Sequence, residues 1–214
     1  MKTKDRIIYG ALDLFNQNGE RNVSTNHIAA HIGISPGNLY YHFNNKQEII
    51  QSIFTLYSNE LLEHFSSYDK EANSLLVLER HFNAMFRLMW KFRFFYSNLP
   101  EILQRDRVLH DHYLISQVQL QEYFQEVFER LIQLGIVDLR GSSLSIFSST
   151  LHMISVSWLS YQTTMTPDAN VTPDIIKQGL LRVLDFIKPR VTVEGQNQFV
   201  QLEDNIRKME VEII

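Results

Sequence analysis

Residues 33–43 read GISPGNLYYHF, and this stretch decides the fold because its first five letters fit two different patterns. G-I-S-P-G matches G-x-S-x-G, the nucleophile elbow of serine hydrolases, in which Ser35 would be a catalytic nucleophile. The same letters also suit a turn followed by a short helix that lies in a groove of DNA. The residues around Ser35 distinguish an esterase from a DNA-binding protein.

The hydrolase interpretation conflicts with both neighbours of Ser35. A nucleophile elbow uses the backbone N–H of the next residue for its oxyanion hole, and Pro36 has no N–H. The preceding segment, TNHIAAHI, has the apolar spacing of a helix rather than of a buried strand. Ser35 and Pro36 instead match the N-cap and the first position of a helix. We therefore predict a capping serine, and a helical hydrolase that uses Ser35 is the alternative function.

Apolar residues recur at helical spacing along almost the whole chain. The first 65 residues predict helices of about sixteen, eight, seven and twenty residues, separated by short turns. Longer helices follow over residues 74–97, 108–135, 142–165 and 173–188, and residues 190–214 end in a segment that suits a further helix. The one short β-branched stretch is VTV near Val191. The predicted fold class is all-α, with a small N-terminal domain of residues 1–46 and a larger helical bundle of residues 47–214.

Composition and charge exclude several classes of protein. The 214 residues include no cysteine, so disulfides, thiolate zinc sites and cysteine nucleophiles are excluded. No apolar run of about eighteen residues occurs, and the N-terminus lacks a signal-peptide core, so we expect a cytoplasmic protein without a membrane partner. The net charge is −4, but residues 1–50 carry five Lys/Arg against four Asp/Glu. Charge therefore permits a DNA-binding N-terminus without requiring one.

The predicted second and third helices, residues 25–32 and 36–42, have the lengths and the glycine-containing turn of a helix-turn-helix motif. Its second helix carries side chains that can bond to bases or to phosphates. Those of Asn38, Tyr40, Tyr41 and His42 lie on this helix, and Lys46 starts the next one.

The run from Ile28 to Ile50, I-A-x-x-x-G-I-S-x-G-x-L-Y-Y-H-F-x-x-K-x-x-I-I, resembles the N-terminal domain of the tetracycline-repressor (TetR) family. The preceding L-F-x-x-x-G, at Leu14, Phe15 and Gly19, matches it too. The resemblance covers about the first 55 residues, and beyond them only the layout is similar. It implies a DNA-binding domain, a long linking helix, and a bundle that dimerises and holds a small-molecule effector.

The resemblance assigns roles within the N-terminal domain. It implies base reading by Gly37, Asn38 and Asn26, and phosphate contacts from Tyr40, His42, Lys46 and the start of the second helix, with Tyr41 suited to either role. The full predicted DNA-binding set is Ser24, Thr25, Asn26, Pro36, Gly37, Asn38, Tyr40, Tyr41, His42 and Lys46. Tyr40 has an alternative as a half-core residue. The pairs His27/His31 and His110/His112 fit solvated faces better than metal sites, so we predict no metal and no cofactor.

Residues 82–96 hold seven aromatic residues and two methionines, more than one helix face can carry. Each is either plain core or, as the resemblance implies, the wall of an effector cavity that suits a bulky apolar or aromatic molecule. The candidate ligand-binding residues are Phe82, Met85, Phe86, Met89, Trp90, Phe95, Phe124, Phe128, Met153 and Trp158.

The helices predicted over residues 142–165 and 173–188 have apolar faces that are either internal core or a contact between two copies. The resemblance implies the second, a four-helix interface, and a homodimer matches a palindromic DNA operator. We therefore expect a DNA-binding, ligand-responsive transcriptional regulator rather than an enzyme, with repression as the expectation of the family. A helical adaptor that has lost DNA binding is the remaining alternative.

Overall fold

The computed structural model describes residues 1–65, 74–166 and 170–210. Within these ranges the chain forms ten α-helices. They are α1 Thr3–Asn18, α2 Thr25–His31, α3 Pro36–His42, α4 Lys46–Phe65, α5 Ser74–Lys91, α6 Arg93–Arg105, α7 Arg107–Gln133, α8 Leu144–Met165, α9 Pro173–Ile187 and α10 Gln196–Arg207. The all-α architecture predicted from the sequence is confirmed. None of the helices described here is long and apolar enough to cross a membrane.

Helices α1 to α3 form a small bundle around one apolar centre. Its buried side chains are Ile7, Ala11, Leu12, Phe15, Val23, Ile28, Ala29, Leu39 and Phe43. Gly33 ends α2 with a φ of +69°, a conformation that glycine adopts at little cost. Helix α4 packs on α1 and also on α5 and α7, so it links the small bundle to the larger one.

The aromatic segment is not the single helix over residues 74–97 that its periodicity predicts. Phe92, with φ −112° and ψ 30°, separates α5 from α6 and is fully buried. A second irregularity lies at Asn98, two residues before Pro100, which lacks an N–H and crowds the preceding turn. The Asn98 side-chain Nδ2 donates to Phe94 O at 3.1 Å and so bonds a carbonyl next to the kink.

The C-terminal part of the described chain closes the large bundle. The VTV stretch gives a single antiparallel bridge between Val137 and Val191, where Asp138 N donates to Arg190 O at 2.8 Å. Helix α10 then packs on α5 and α9 through its buried residues Phe199, Leu202 and Ile206. The predicted C-terminal helix is thus part of the core. The loop between α8 and α9 and the end of the 190–214 segment fall partly on residues 167–169 and 211–214, outside the described residues.

Candidate nucleic-acid interface and effector cavity

Both short helices of the N-terminal bundle begin with a capping serine. Ser24 Oγ accepts a hydrogen bond from His27 N at 3.2 Å, and His27 Nδ1 accepts one from Ser24 N at 3.3 Å. Ser35 Oγ accepts from Asn38 N at 3.2 Å, with Pro36 at the first helical position. Ser35 is therefore the N-cap of α3, as predicted, and its oxygen is held by a backbone N–H rather than by a catalytic base.

Helix α3 presents most of its N-terminal half to solvent. Among the predicted DNA-binding residues, Asn26, Pro36, Gly37, Asn38, Tyr40 and Tyr41 are exposed. The Tyr41 side chain is 85% exposed, so it contributes little to the core of the small bundle and is available to a partner. A Cβ placed on Gly37 meets no atom within 4 Å, so this part of α3 is sterically open.

Tyr40 is about half covered by the protein, which fits both its half-core alternative and its predicted surface role. Its side chain is 49% exposed, and its hydroxyl lies 2.9 Å from Thr25 Oγ1. This hydrogen bond holds the start of α2 beside α3 and places two hydroxyl groups together on the open surface. Hydroxyl groups of this kind suit phosphate oxygens, which accept hydrogen bonds.

Lys46, a predicted phosphate contact, is 29% exposed and is bonded to internal partners. Its Nζ is 2.7 Å from Glu20 Oε1 and donates to Glu20 O at 3.0 Å and Val23 O at 3.1 Å. Two hydrogen bonds to backbone carbonyls and one ion pair therefore hold the Lys46 ammonium group in place. The structure therefore gives Lys46 an internal role, and spacing in the sequence identified its position but not its partner.

The predicted histidine pairs bind different partners. His27 belongs to the cap of α2, whereas His31 Nε2 lies 3.2 Å from Asp13 Oδ2. His110 Nδ1 lies 3.7 Å from Asp111 Oδ1. In the part of the chain that the structure describes, no three acidic or histidine side chains converge as a metal site.

Several polar contacts join the small bundle to the large one. Glu20 is 3% exposed and is ion-paired to both Lys46 and Arg105, whose Nη2 is 2.8 Å from Glu20 Oε2. These cations outweigh the burial of the carboxyl group, which alone would raise its pKa, and the net pKa is below the ordinary value. Asn16 adds two bonds, because Nδ2 donates to Lys91 O at 2.8 Å and Oδ1 accepts from Phe94 N at 3.1 Å.

A second contact lies at the junction of α6 and α7. Asp106 is buried, caps α7 by accepting from Leu109 N at 3.0 Å, and accepts from Gln47 and Gln51 of α4 at 2.7 Å each. Burial would raise its pKa, but these three hydrogen-bonding groups together with the Val108 N–H lower it on balance. The start of α4 is thus fixed to α7 as well as to the small bundle.

The large bundle contains a cavity of about 50 Å³ between α5, α7, α8 and α9. Four of the predicted ligand-binding residues line it: Phe82, Met85, Phe124 and Phe128. Five of the other wall residues are aliphatic, namely Leu78, Leu151, Leu180, Val183 and Ile187. The remaining three are polar: His81, His152 and Ser155.

The other six predicted ligand-binding residues lie away from this cavity. Phe86, Met89 and Phe95 are buried in the surrounding core, because they face other sides of α5 and α6. Trp90 lies under the guanidinium of Arg93, and Met153 is 59% exposed. Trp158 packs on α9, where its Nε1 donates to Ile175 O at 2.7 Å.

Sequence reasoning missed the most polar feature of the cavity, which is His81. Positions 78, 81, 82 and 85 share one helix face, and this spacing is the signal that could have found it. His81 Nδ1 bonds Val77 O, and its ring stacks on Tyr123 with centroids 4.8 Å apart. Burial lowers the pKa of His81 to about 4, so the imidazole is neutral at pH 7. Burial also lowers the pKa of His152.

Part of the apolar faces of α8 and α9 is internal, whereas Leu144, Ile154, Val156, Trp158 and Ile175 are only partly buried. Phe147, Leu151 and Leu159 of α8 and Ile176, Leu180 and Leu184 of α9 are all buried. Ile146 and Met153, two turns apart on another face of α8, are exposed, and so are Tyr161 and Met165 towards the end of the helix.

A capped helix-turn-helix with an open second helix, joined to a larger helical bundle that contains a cavity, defines a DNA-binding transcriptional regulator. Comparison with protein-family models agrees. The family described as "Bacterial regulatory proteins, tetR family" matches residues 7–53, and the one described as "Bacterial transcriptional repressor" (TetR) matches residues 56–199. The chain belongs to the TetR family, whose members are transcriptional regulators and not enzymes.

Individual relatives support the same assignment. A TetR-family transcriptional regulator from Marinobacter aquaeolei VT8 is 31% identical, with a TM-score of 0.85 over 96% of this chain and 99% of that one. The regulator UidR of Escherichia coli K12 is 36% identical over 63 residues, which are 29% of this chain and only 32% of UidR. The ketosteroid regulator KstR2 of Mycobacterium tuberculosis, at 16% identity and a TM-score of 0.63, shares the fold.

Proposed function

We propose that this TetR-family regulator is a homodimer that represses transcription from a palindromic operator in the cytoplasm and is released by a small, mostly apolar effector. The exposed N-terminal half of α3 carries the proposal. Asn38 and Gly37 lie there with open space around them, and the hydroxyls of Tyr40 and Thr25 lie beside them. We propose that Asn38 bonds to a base edge, and that the two hydroxyls and His42 bind phosphates.

The dimer contact that we propose uses the outer face of α8. Ile146 is 67% exposed and Met153, two turns later, is 59% exposed. Large apolar side chains that share one exposed face are typical of a surface that binds another protein. A second copy is the partner we propose, because one seven-residue reading helix contacts few base pairs and a two-fold axis supplies the second half-site.

Effector binding and operator binding would then be linked through the contacts between the two bundles. The cavity lies against α5, and Lys91 O at the end of α5 accepts a hydrogen bond from Asn16 of α1. A ligand that enlarges the cavity binds one arrangement of these helices better than the other. It therefore lowers operator affinity by the same factor by which operator lowers ligand affinity.

The test of this function begins with DNA from the region flanking the protein's own gene. We expect a salt-dependent mobility shift, with the protein sedimenting as a dimer in analytical ultracentrifugation. Asn38→Ala should change the relative affinities for operator variants, because a base contact carries sequence information. An equal loss of affinity for every sequence would contradict the role of Asn38.

Dimerisation has its own pair of variants. Met153→Glu places a charge in the proposed contact, so we expect monomers and an operator affinity at least about a hundredfold lower. Ile115→Glu is the matched control, because Ile115 is similarly exposed, at 60%, but belongs to α7 rather than α8. If Ile115→Glu is monomeric and Met153→Glu remains dimeric, the dimer contact lies on α7 and not on α8.

A further inference from the structure

We propose that the effector is an uncharged, mostly apolar molecule that carries one O–H or N–H donor, and that this donor bonds to Nε2 of His81. The inference rests on the effector role proposed above for the cavity. It names the chemical class of the ligand and the atom that recognises it.

The tautomer of His81 follows from its partner. Val77 O is a carbonyl oxygen and only accepts hydrogen bonds, so the hydrogen of a neutral imidazole lies on Nδ1. Nε2, across the ring, then carries a lone pair and is an acceptor. The stacking on Tyr123 and the edge contact with Phe65, at 5.3 Å between centroids, hold the ring in this orientation.

Nε2 is buried and has no hydrogen-bond partner among the described residues. A buried acceptor without a donor is unfavourable relative to one that is hydrogen-bonded. A ligand hydroxyl or N–H supplies the missing donor and gains that difference on binding. An ether or ester of the same shape brings a second lone pair to the same place and gains nothing there.

The other polar groups of the wall do not change this preference. Ser155 Oγ donates its hydrogen to Leu151 O at 2.9 Å within α8. His152 is only partly buried, and its nitrogen atoms are not among the buried side-chain atoms of the described residues that lack a hydrogen-bond partner. His81 is the lining residue whose polar atom is fully enclosed and unbonded within the described part of the chain.

Charge selects against an ionised ligand. The twelve described residues that line the cavity include no lysine, arginine, aspartate or glutamate. A carboxylate or an ammonium group would lose its hydration there without gaining a counter-ion. The remaining wall, from Leu78 to Ile187, is aliphatic or aromatic and favours a hydrocarbon body.

The cavity is too small for the proposed ligand unless the surrounding helices move. About 50 Å³ has room for a few water molecules, so even a single aromatic ring requires the helices to separate. Met85 is the most adaptable wall residue, because its unbranched side chain changes shape easily. Its methyl group is therefore a natural reporter of binding.

The test uses four probes that share one benzene ring and differ in its substituent: phenol, benzene, anisole and benzoate. Protein with ¹³C-labelled methionine methyl groups is titrated with each probe, and the Met85 signal reports occupancy of the cavity. Met1, 81% exposed at the start of the chain and outside the proposed dimer contact, is the internal control for nonspecific effects. We expect phenol to bind about tenfold more tightly than benzene or anisole, as one added hydrogen bond implies, and benzoate not to shift Met85.

His81→Phe keeps a ring against Tyr123 but removes the acceptor, so phenol and benzene should bind this variant equally. Equal binding of phenol and anisole to the unmodified protein, preferential binding of benzoate, or no shift of Met85 with any probe would each overturn the proposal. The comparison within the unmodified protein stands even where His81→Phe fails to fold. Mobility-shift assays with the same probes separate this inference from the proposed function. If the protein without any probe binds no operator, the proposed function is refuted. If phenol and benzene release the operator equally well, only the ligand class is refuted.

Discussion

Replacing Lys46 by alanine distinguishes an internal role from a phosphate contact. The change removes the ion pair with Glu20 and leaves the backbone carbonyls of Glu20 and Val23 without their donor. Breaking a buried ion pair by removing one partner costs about 3–5 kcal/mol. Lys46 is 29% exposed and Arg105 still pairs with Glu20, so we expect the free energy of unfolding to fall by about 2 kcal/mol.

The assay is urea denaturation of the protein without DNA, at pH 7, followed by operator binding as a function of salt. A lysine that contacts one phosphate contributes about 0.9 to the slope of log affinity against log salt. We expect Lys46→Ala to lower stability and to leave this slope unchanged. Unchanged stability together with a slope reduced by about 0.9 would refute the internal role and restore the phosphate contact.

Arg21→Ala is the matched control for that experiment. Arg21 belongs to the same group of charges but is 70% exposed, and its ion pair with Glu101 lies at the surface. Exposed ion pairs contribute little because water and salt screen them, so we expect a change below about 0.5 kcal/mol. A loss from Arg21→Ala as large as that from Lys46→Ala would show that burial does not set the size of the effect.

Three further expectations follow from close packing and from burial. Gly10→Ala places a Cβ 2.3 Å from Ile32 Cγ2 in the α2–α3 turn and should lower the unfolding free energy by about 1–3 kcal/mol. Gly37→Ala, whose Cβ meets nothing within 4 Å, should keep the stability and lower only operator affinity. Comparable melting temperatures for the two variants would contradict this. Gly179→Ala brings a Cβ within 2.4 Å of the Trp158 ring, so calorimetry should show a loss of similar size from the large bundle, and an unchanged melting temperature would mean that α8 and α9 separate freely. The pKa of His81, lowered by burial to about 4, lies below that of the unfolded chain, so the unfolded state binds more protons between pH 6.5 and pH 4. Stability should therefore fall by about 2 kcal/mol from pH 7 to pH 5, and His81→Phe should lose less over that window in urea denaturation.

The small bundle was predictable because its signals are local. Ser35 and Pro36 specify a helix start within two residues, and the competing catalytic motif fails on the missing N–H of Pro36. The partner of Lys46 could not be predicted from local sequence. Its place at the start of α4 was visible in the sequence, but its partner Glu20 lies 26 residues earlier and meets it only in the folded chain.

The sequence predicted which part of the chain lines the cavity, but only four of its ten candidate residues line it. A segment rich in aromatic residues has several faces, and the break at Phe92 changes which of them point inward. Periodicity alone therefore could not separate Met85, which lines the cavity, from Met89, which lies in the core. His81 escaped notice because a single histidine in an apolar segment has no local signature, and its significance depends on the unbonded Nε2.

The positions of the contacts between the bundles suggest how the cavity is coupled to α3. Asn16 bonds to both sides of the break between α5 and α6, at Lys91 O and Phe94 N. Helix α6 then ends at Arg105, which pairs with the same buried Glu20 that holds the start of α4. Since α5 forms one wall of the cavity, a ligand bound as proposed above would, by displacing α5, act on the small bundle at Asn16 and, through α6, at Glu20. Neither contact uses Asn38, Tyr40 or Thr25, the side chains proposed above to bind DNA. Under the proposed function, the effector would therefore weaken operator binding by moving helices and not by occupying the DNA-binding side chains.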